Sequence, residues 1–65
     1  MITLDIKEFS LLTGMRESEI YHHIREGKFK CGVPFPKPLK QFKTHRFNYK
    51  EVIRFIERLQ HNGEL

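Results

Sequence analysis

The clearest alternation of apolar and polar residues lies in the last third of the chain. Four apolar residues follow the i, i+3, i+4, i+7 spacing that places side chains on one face of an α-helix: Val52, Phe55, Ile56 and Leu59. Asn48 precedes them and is a favoured N-cap residue, and Glu51 stands three positions later. The pattern predicts a helix that begins after Asn48 and buries one stripe, with a disordered tail at about residues 61–65.

The first third predicts another helix. Asp5 suits an N-cap, and a glutamate three positions later completes a capping box. Apolar residues at positions 6, 9 and 12 or 13 would form the buried stripe of a helix over about residues 6–13. Gly14 stands where this helix must end, because glycine adopts the left-handed conformation of a helix C-terminus without steric cost.

A second short helix is predicted directly after Gly14. It would begin at residue 16 or 17 and end at Gly27, and it would bury Ile20 and Ile24, which are four positions apart. Two helices joined by so short a turn are typical of a helix-turn-helix, whose second helix enters the DNA major groove.

The middle of the chain predicts a loop followed by a hairpin. Three prolines exclude a helix over residues 28–38, where Phe29, Val33 and Phe35 are available to cover the core. Alternating residues predict two short antiparallel strands, at 39–42 and 45–47, around a turn near Lys43 and Thr44. Residues 1–4 are expected to be a short strand or an extended lead-in.

Together these elements predict one domain over residues 1–65. Its fold class would be mainly α with a small β-hairpin: a winged helix-turn-helix of three helices plus a two-stranded wing. A chain of 65 residues is near the lower limit of independent folding. The single cysteine, Cys31, cannot form an internal disulfide, and the sequence lacks a signal-peptide pattern and an apolar run of membrane-spanning length. We therefore expect a cytoplasmic, nucleoid-associated protein.

The placement of charge narrows the function further. The chain carries a net charge of +4, but residues 28–50 contain seven lysines and arginines and no aspartate or glutamate. The flanking segments are mildly acidic. A cationic stripe of this density predicts a phosphate backbone as the partner.

Several short motifs follow one another in an order that is unusual for so short a chain. They are Leu12-Thr13-Gly14-Met15, Ile20-Tyr21, Ile24-Arg25-Glu26-Gly27-Lys28-Phe29, Pro36-Lys37-Pro38-Leu39-Lys40, Arg46-Phe47 and Glu51-Val52. This order resembles the small winged-helix regulators and excisionases of phages and integrated elements, the AlpA-like group, which is related to the DNA-binding head of MerR proteins. The likeness spans nearly the whole chain. Two departures are a longer segment at residues 30–35 and the acidic residues Glu17 and Glu19 where small hydroxyl residues are more usual.

The resemblance implies double-stranded DNA as the partner. Members of the group switch transcription from a nearby promoter, or bind repeated sites and bend DNA to direct excision by an integrase. The resemblance does not choose between these roles. It also implies that an integrase, or other copies of the protein on adjacent sites, could be partners.

The side chains expected to contact base edges lie on the second predicted helix. They are long or polar enough to reach donors and acceptors in the major groove: Arg16, Glu17, Ser18, Glu19, His22, His23 and Arg25. A second set, on and beside the wing, is expected to contact the DNA backbone: Lys28, Lys37, Lys40, Lys43, Thr44, His45 and Arg46.

Other functional classes have less support from the sequence. No glycine-rich phosphate loop or pair of catalytic carboxylates is evident, so we predict no enzyme activity and no small-molecule substrate. The four histidines and Cys31 do not have the spacing of a zinc site, so we predict no metal and no cofactor. The alternative to DNA binding is a protein-binding module or inhibitor built on a winged-helix scaffold, with the acidic segments as the partner surface.

Overall fold

Three helices and two short strands form the described part of the chain. The structure is a computed structural model that describes residues 2–27 and 32–62. The elements are β1 (Thr3–Asp5), α1 (Ile6–Thr13), α2 (Glu17–Glu26), β2 (Arg46–Asn48) and α3 (Tyr49–His61). The protein is therefore mainly helical, with one two-stranded antiparallel sheet.

The bounds predicted for α1 are confirmed, and so is its capping box. The Asp5 carboxylate accepts a hydrogen bond from the Glu8 backbone N–H at 2.8 Å, and Asp5 N–H donates to Glu8 Oε1 at 3.0 Å. Gly14 ends the helix at φ +77°, in the left-handed region. The buried stripe ends at Thr13, because Leu12 is 45% exposed.

Removal of the Asp5 cap is expected to destabilise the protein modestly. Asp5→Ala leaves the Glu8 N–H without its acceptor, which should lower the free energy of unfolding by about 1 kcal/mol. In a domain of this size that corresponds to a fall of roughly 4–8 °C in the melting temperature, measurable by circular dichroism. Asp5→Asn is the control, since asparagine caps about as well. An equal loss in both variants would contradict the capping explanation.

The turn between α1 and α2 is fixed by side chains of α1. Thr13 is buried; its hydroxyl donates to the Phe9 carbonyl at 2.8 Å and accepts from Met15 N–H at 3.2 Å. The Ser10 hydroxyl donates to the Met15 carbonyl at 2.6 Å. These bonds satisfy the backbone of a turn only three residues long, and they hold α2 at a defined angle to α1.

The other two helices also follow their predicted patterns. Ile20 is fully buried and Ile24 packs beside the core, which confirms the apolar face of α2. The Asn48 carboxamide accepts from the N–H groups of Lys50 and Glu51 at 2.9 and 3.3 Å, which confirms the N-cap of α3. The helix continues to His61 and ends at Asn62, whose N–H donates to the Arg58 carbonyl at 3.0 Å, so residues 61 and 62 are ordered. The rest of the predicted disordered tail, residues 63–65, lies outside the described residues.

The prediction of a two-stranded hairpin is wrong in its first strand. Residues 39–42 are not a strand; β2 pairs with β1 instead, with Leu4 opposite Phe47. Both of these side chains are buried, so pairing with the N-terminal strand places two apolar side chains opposite each other in the core. The segment 39–45 is instead a loop that leads into β2, and one backbone hydrogen bond closes it, from Leu39 N–H to the Arg46 carbonyl at 2.7 Å.

Four phenylalanines form the centre of the core. Phe9 of α1 is fully buried, with its ring centroid 5.5 Å from Phe35, 4.8 Å from Phe47 and 6.2 Å from Phe55. Each partner belongs to a different segment, so this one ring ties α1 to the proline-containing loop, to β2 and to α3. Val33 is also buried, as predicted, whereas Phe29 lies outside the described residues.

The helices are short. Among the described residues, none of them has the length and apolar character required to cross a bilayer.

Candidate nucleic-acid interface

The solvent-facing side of α2 carries most of the residues predicted to contact bases. Because Ile20 and Ile24 hold the opposite side against the core, Ser18, His22 and Arg25 form an outward stripe at i, i+4, i+7 spacing. All members of the predicted set except His23 are exposed, namely Arg16, Glu17, Ser18, Glu19, His22 and Arg25. The geometry therefore offers a face of one helix that could enter a groove.

Two of the residues predicted to contact bases already interact with other groups of the protein. The Glu19 carboxylate accepts from Arg16 N–H at 3.2 Å and so helps to cap α2. The His23 ring is half-buried and stacks on Phe35, with centroids 4.8 Å apart and planes 11° apart. The roles of Glu19 and His23 as base contacts stay predictions. Ser18, His22 and Arg25 are better placed to contact bases, because all three side chains are exposed.

The segment 37–46, which we call the basic loop, lies beside α2. Lys37, Lys40 and Lys43 are exposed along it. Within the described residues, their ammonium groups form no hydrogen bond or ion pair. No acidic side chain of the described residues pairs with these lysines, so their charge is available to a ligand. Lys28, the other lysine predicted to contact the backbone near α2, lies outside the described residues.

A contact between two aromatic rings joins the basic loop to α2. The Tyr21 and His45 rings meet edge to face with centroids 5.4 Å apart. His23, two positions from Tyr21 and so about 200° around the helix, contacts Phe35. The chain therefore packs on both flanks of α2 and leaves the outward stripe uncovered.

Arg46 holds the base of the basic loop. Its Nε donates to Thr3 Oγ1 at 2.8 Å, and its guanidinium lies 5.8 Å from the centroid of the Phe42 ring. Arg46 is only half-exposed, unlike Thr44 and His45. Its first role is thus to tie the loop to β1, and the charges free to move toward a ligand are those of the lysines.

The structure adds one cation that the sequence pattern did not single out. Lys7 of α1 lines an open groove of about 520 Å³ together with Tyr21, Lys43 and His45. Asp5 and Arg46 line it as well. Lys7 was missed because its position is off the apolar stripe of α1 and outside the cationic segment, and nothing local indicates which face of the fold it joins.

The described residues contain no group of three or more His, Cys, Asp or Glu side chains placed to hold a metal ion. Comparison of the chain with protein-family models, with characterised proteins and with solved structures finds no significant match.

Proposed function

We propose that this chain is a winged helix-turn-helix protein that binds double-stranded DNA in a sequence-specific manner. In this proposal α2 enters the major groove, and the basic loop acts as the wing that contacts the flanking backbone. The resemblance to AlpA-like proteins suggests that it acts as a transcription regulator or as an excisionase of a phage or integrated element.

The observation that carries the proposal is the Tyr21–His45 contact. It holds the basic loop against the flank of α2, so that a duplex lying on the outward stripe would also meet Lys40 and Lys43. A loop on the far side of the molecule could not serve as a wing. The loop need not be a two-stranded hairpin for this purpose, because the Leu39–Arg46 backbone bond and the Arg46–Thr3 bond close its base.

Each part would have a separate task. Ser18, His22 and Arg25 supply donors and acceptors for base edges, and arginine is suited to guanine O6 and N7. The lysines contact phosphates, which fixes position without carrying sequence information. So small a domain offers a limited interface, so we expect one copy to bind weakly and several copies on adjacent sites to bind more firmly.

Salt dependence provides the direct test. Duplex ligands selected from a random library would be titrated with the protein by fluorescence anisotropy at several salt concentrations. If about four to six cations meet phosphates, log K should fall with log salt at a slope of about −4 to −5. A scrambled duplex of equal length and the single strand are the controls. Absence of duplex binding, or equal affinity for selected and scrambled duplexes, would contradict sequence-specific binding.

A protein-binding role is the second candidate, and one observation favours it. Leu11 and Leu12, at the end of α1, are 77% and 45% exposed. Large apolar side chains exposed together would lose unfavourable contact with water if a protein partner covered them. Loss of cellular function on Leu11→Ser with DNA binding unchanged would favour this candidate, whereas retained function would favour DNA binding.

A further inference from the structure

A second groove lined by cations runs along α3, and none of its lining residues belongs to α2. One wall is formed by Val33, Pro34 and Pro36, and the other by the exposed side of α3. The groove has two parts, of about 520 and 330 Å³, and Pro34, Arg54 and Arg58 line both of them. The two parts are therefore continuous.

The basic side chains of this groove form one row. Arg54, Arg58 and His61 follow i, i+4, i+7 spacing, which places them on one side of α3 beside the buried face. Within the described residues, neither guanidinium forms an ion pair or a hydrogen bond. Glu51 and Glu57 line the groove as well, so the row is cationic without being free of acids.

Lys37 connects this groove to the candidate DNA interface. It lines the α3 groove, and it also lines a groove at the end of α2 that contains His23 and Lys40. Unpaired cations therefore continue from Lys40, through Lys37, to Arg54 and Arg58. A track of this kind matches a regularly spaced polyanion better than it matches an isolated carboxylate.

We propose that Arg54 and Arg58 bind backbone phosphates of the DNA that flanks the segment contacted by α2. This inference rests on the proposed function, because it requires a duplex on α2. Arginine presents a planar fork of N–H donors that matches two phosphate oxygens. The longest dimension of the molecule is 33 Å, or about 10 base pairs at 3.4 Å each, so one duplex is long enough to meet both surfaces.

The test is the salt dependence of the variant Arg54→Gln/Arg58→Gln on a duplex of about 20 base pairs, twice that span. Each lost phosphate contact makes the slope of log K against log salt shallower by about 1, so the variant should differ from the unmodified protein by about 2. At about 0.1 M salt its affinity should be tens of times weaker. Arg54→Lys/Arg58→Lys should retain the slope, because lysine keeps both charges.

The matched control changes the net charge of α3 at a position outside the groove. Gln60 is exposed on α3 about 200° from Arg58, and Gln60→Glu lowers the net charge by one unit, as Arg58→Gln does. Thermal unfolding would verify that every variant folds. A slope for Arg54→Gln/Arg58→Gln equal to that of the unmodified protein, or a loss in Arg58→Gln no larger than in Gln60→Glu, would overturn the inference.

The outcome separates this inference from the proposed function. If the unmodified protein binds duplex DNA with the expected slope and the arginine variant is indistinguishable from it, the α3 groove has another ligand, such as an acidic protein segment. If the unmodified protein does not bind duplex DNA, both proposals are wrong.

Discussion

Lys40→Glu/Lys43→Glu is expected to bind duplex DNA roughly 100-fold more weakly than the unmodified protein at about 0.1 M salt. Both lysines are exposed in the basic loop, so their replacement removes two phosphate contacts and adds two repulsive charges. The slope of log K against log salt should become shallower by about 2. The free energy of unfolding should change by less than about 0.5 kcal/mol, because neither side chain packs against the core.

Single variants make the comparison sharper. Lys40→Gln and Lys43→Gln each remove one charge, and Gln60→Glu removes one unit of net charge from the far side of α3. Affinity should fall in the first two and stay nearly constant in the third. Arg46 is left unchanged, since the loss of its hydrogen bond to Thr3 and of its contact with the Phe42 ring would confound binding with folding. Equal losses at all three sites would mean that only net charge matters and that the basic loop is not a wing.

Phe9→Ala is expected to be the most destabilising single substitution in the core. Phe9 is fully buried and contacts three other phenylalanine rings, and removal of such a ring costs about 3–5 kcal/mol. A chain of 65 residues has a total stability of roughly 3–10 kcal/mol. The loss is therefore roughly a third of the total or more, and circular dichroism should show a thermal transition at a much lower temperature, or none.

Leu11→Ala is the control for Phe9→Ala on the same helix. Leu11 is 77% exposed, so its truncation removes little buried apolar surface. The free energy of unfolding should therefore change by less than about 0.5 kcal/mol. A Phe9→Ala variant that melts cooperatively with a loss below about 1 kcal/mol would show that the four rings are not the centre of the core.

Local sequence patterns were sufficient to predict the helices. Asp5, Gly14 and Asn48 have chemistry that fixes helix ends, and the apolar spacing of α3 fixes its buried face. These are short-range effects, determined within a few residues, and the structure confirms each of them. The choice of Thr13 over Leu12 for the buried stripe needed the core itself, because both positions satisfy the spacing.

Contacts between residues far apart in the sequence could not be predicted in the same way. Nothing near residue 46 indicates that β2 pairs with residues 3–5 rather than with its neighbours in sequence. The same holds for Tyr21 and His45, for the place of Lys7, and for the groove beside Arg54. The sequence could therefore predict the cations and the presenting helix, but only the fold gives their relative placement.

The pairing of β1 with β2 has a consequence for synthesis on the ribosome. Thr3 and Arg46 are 43 positions apart, so the first strand has no partner until residues 46–48 have been translated. Phe9 likewise waits for Phe47 and Phe55. We expect nascent chains truncated before residue 46 to remain protease-sensitive, with folding, and with it any DNA-binding surface, arising in one late step.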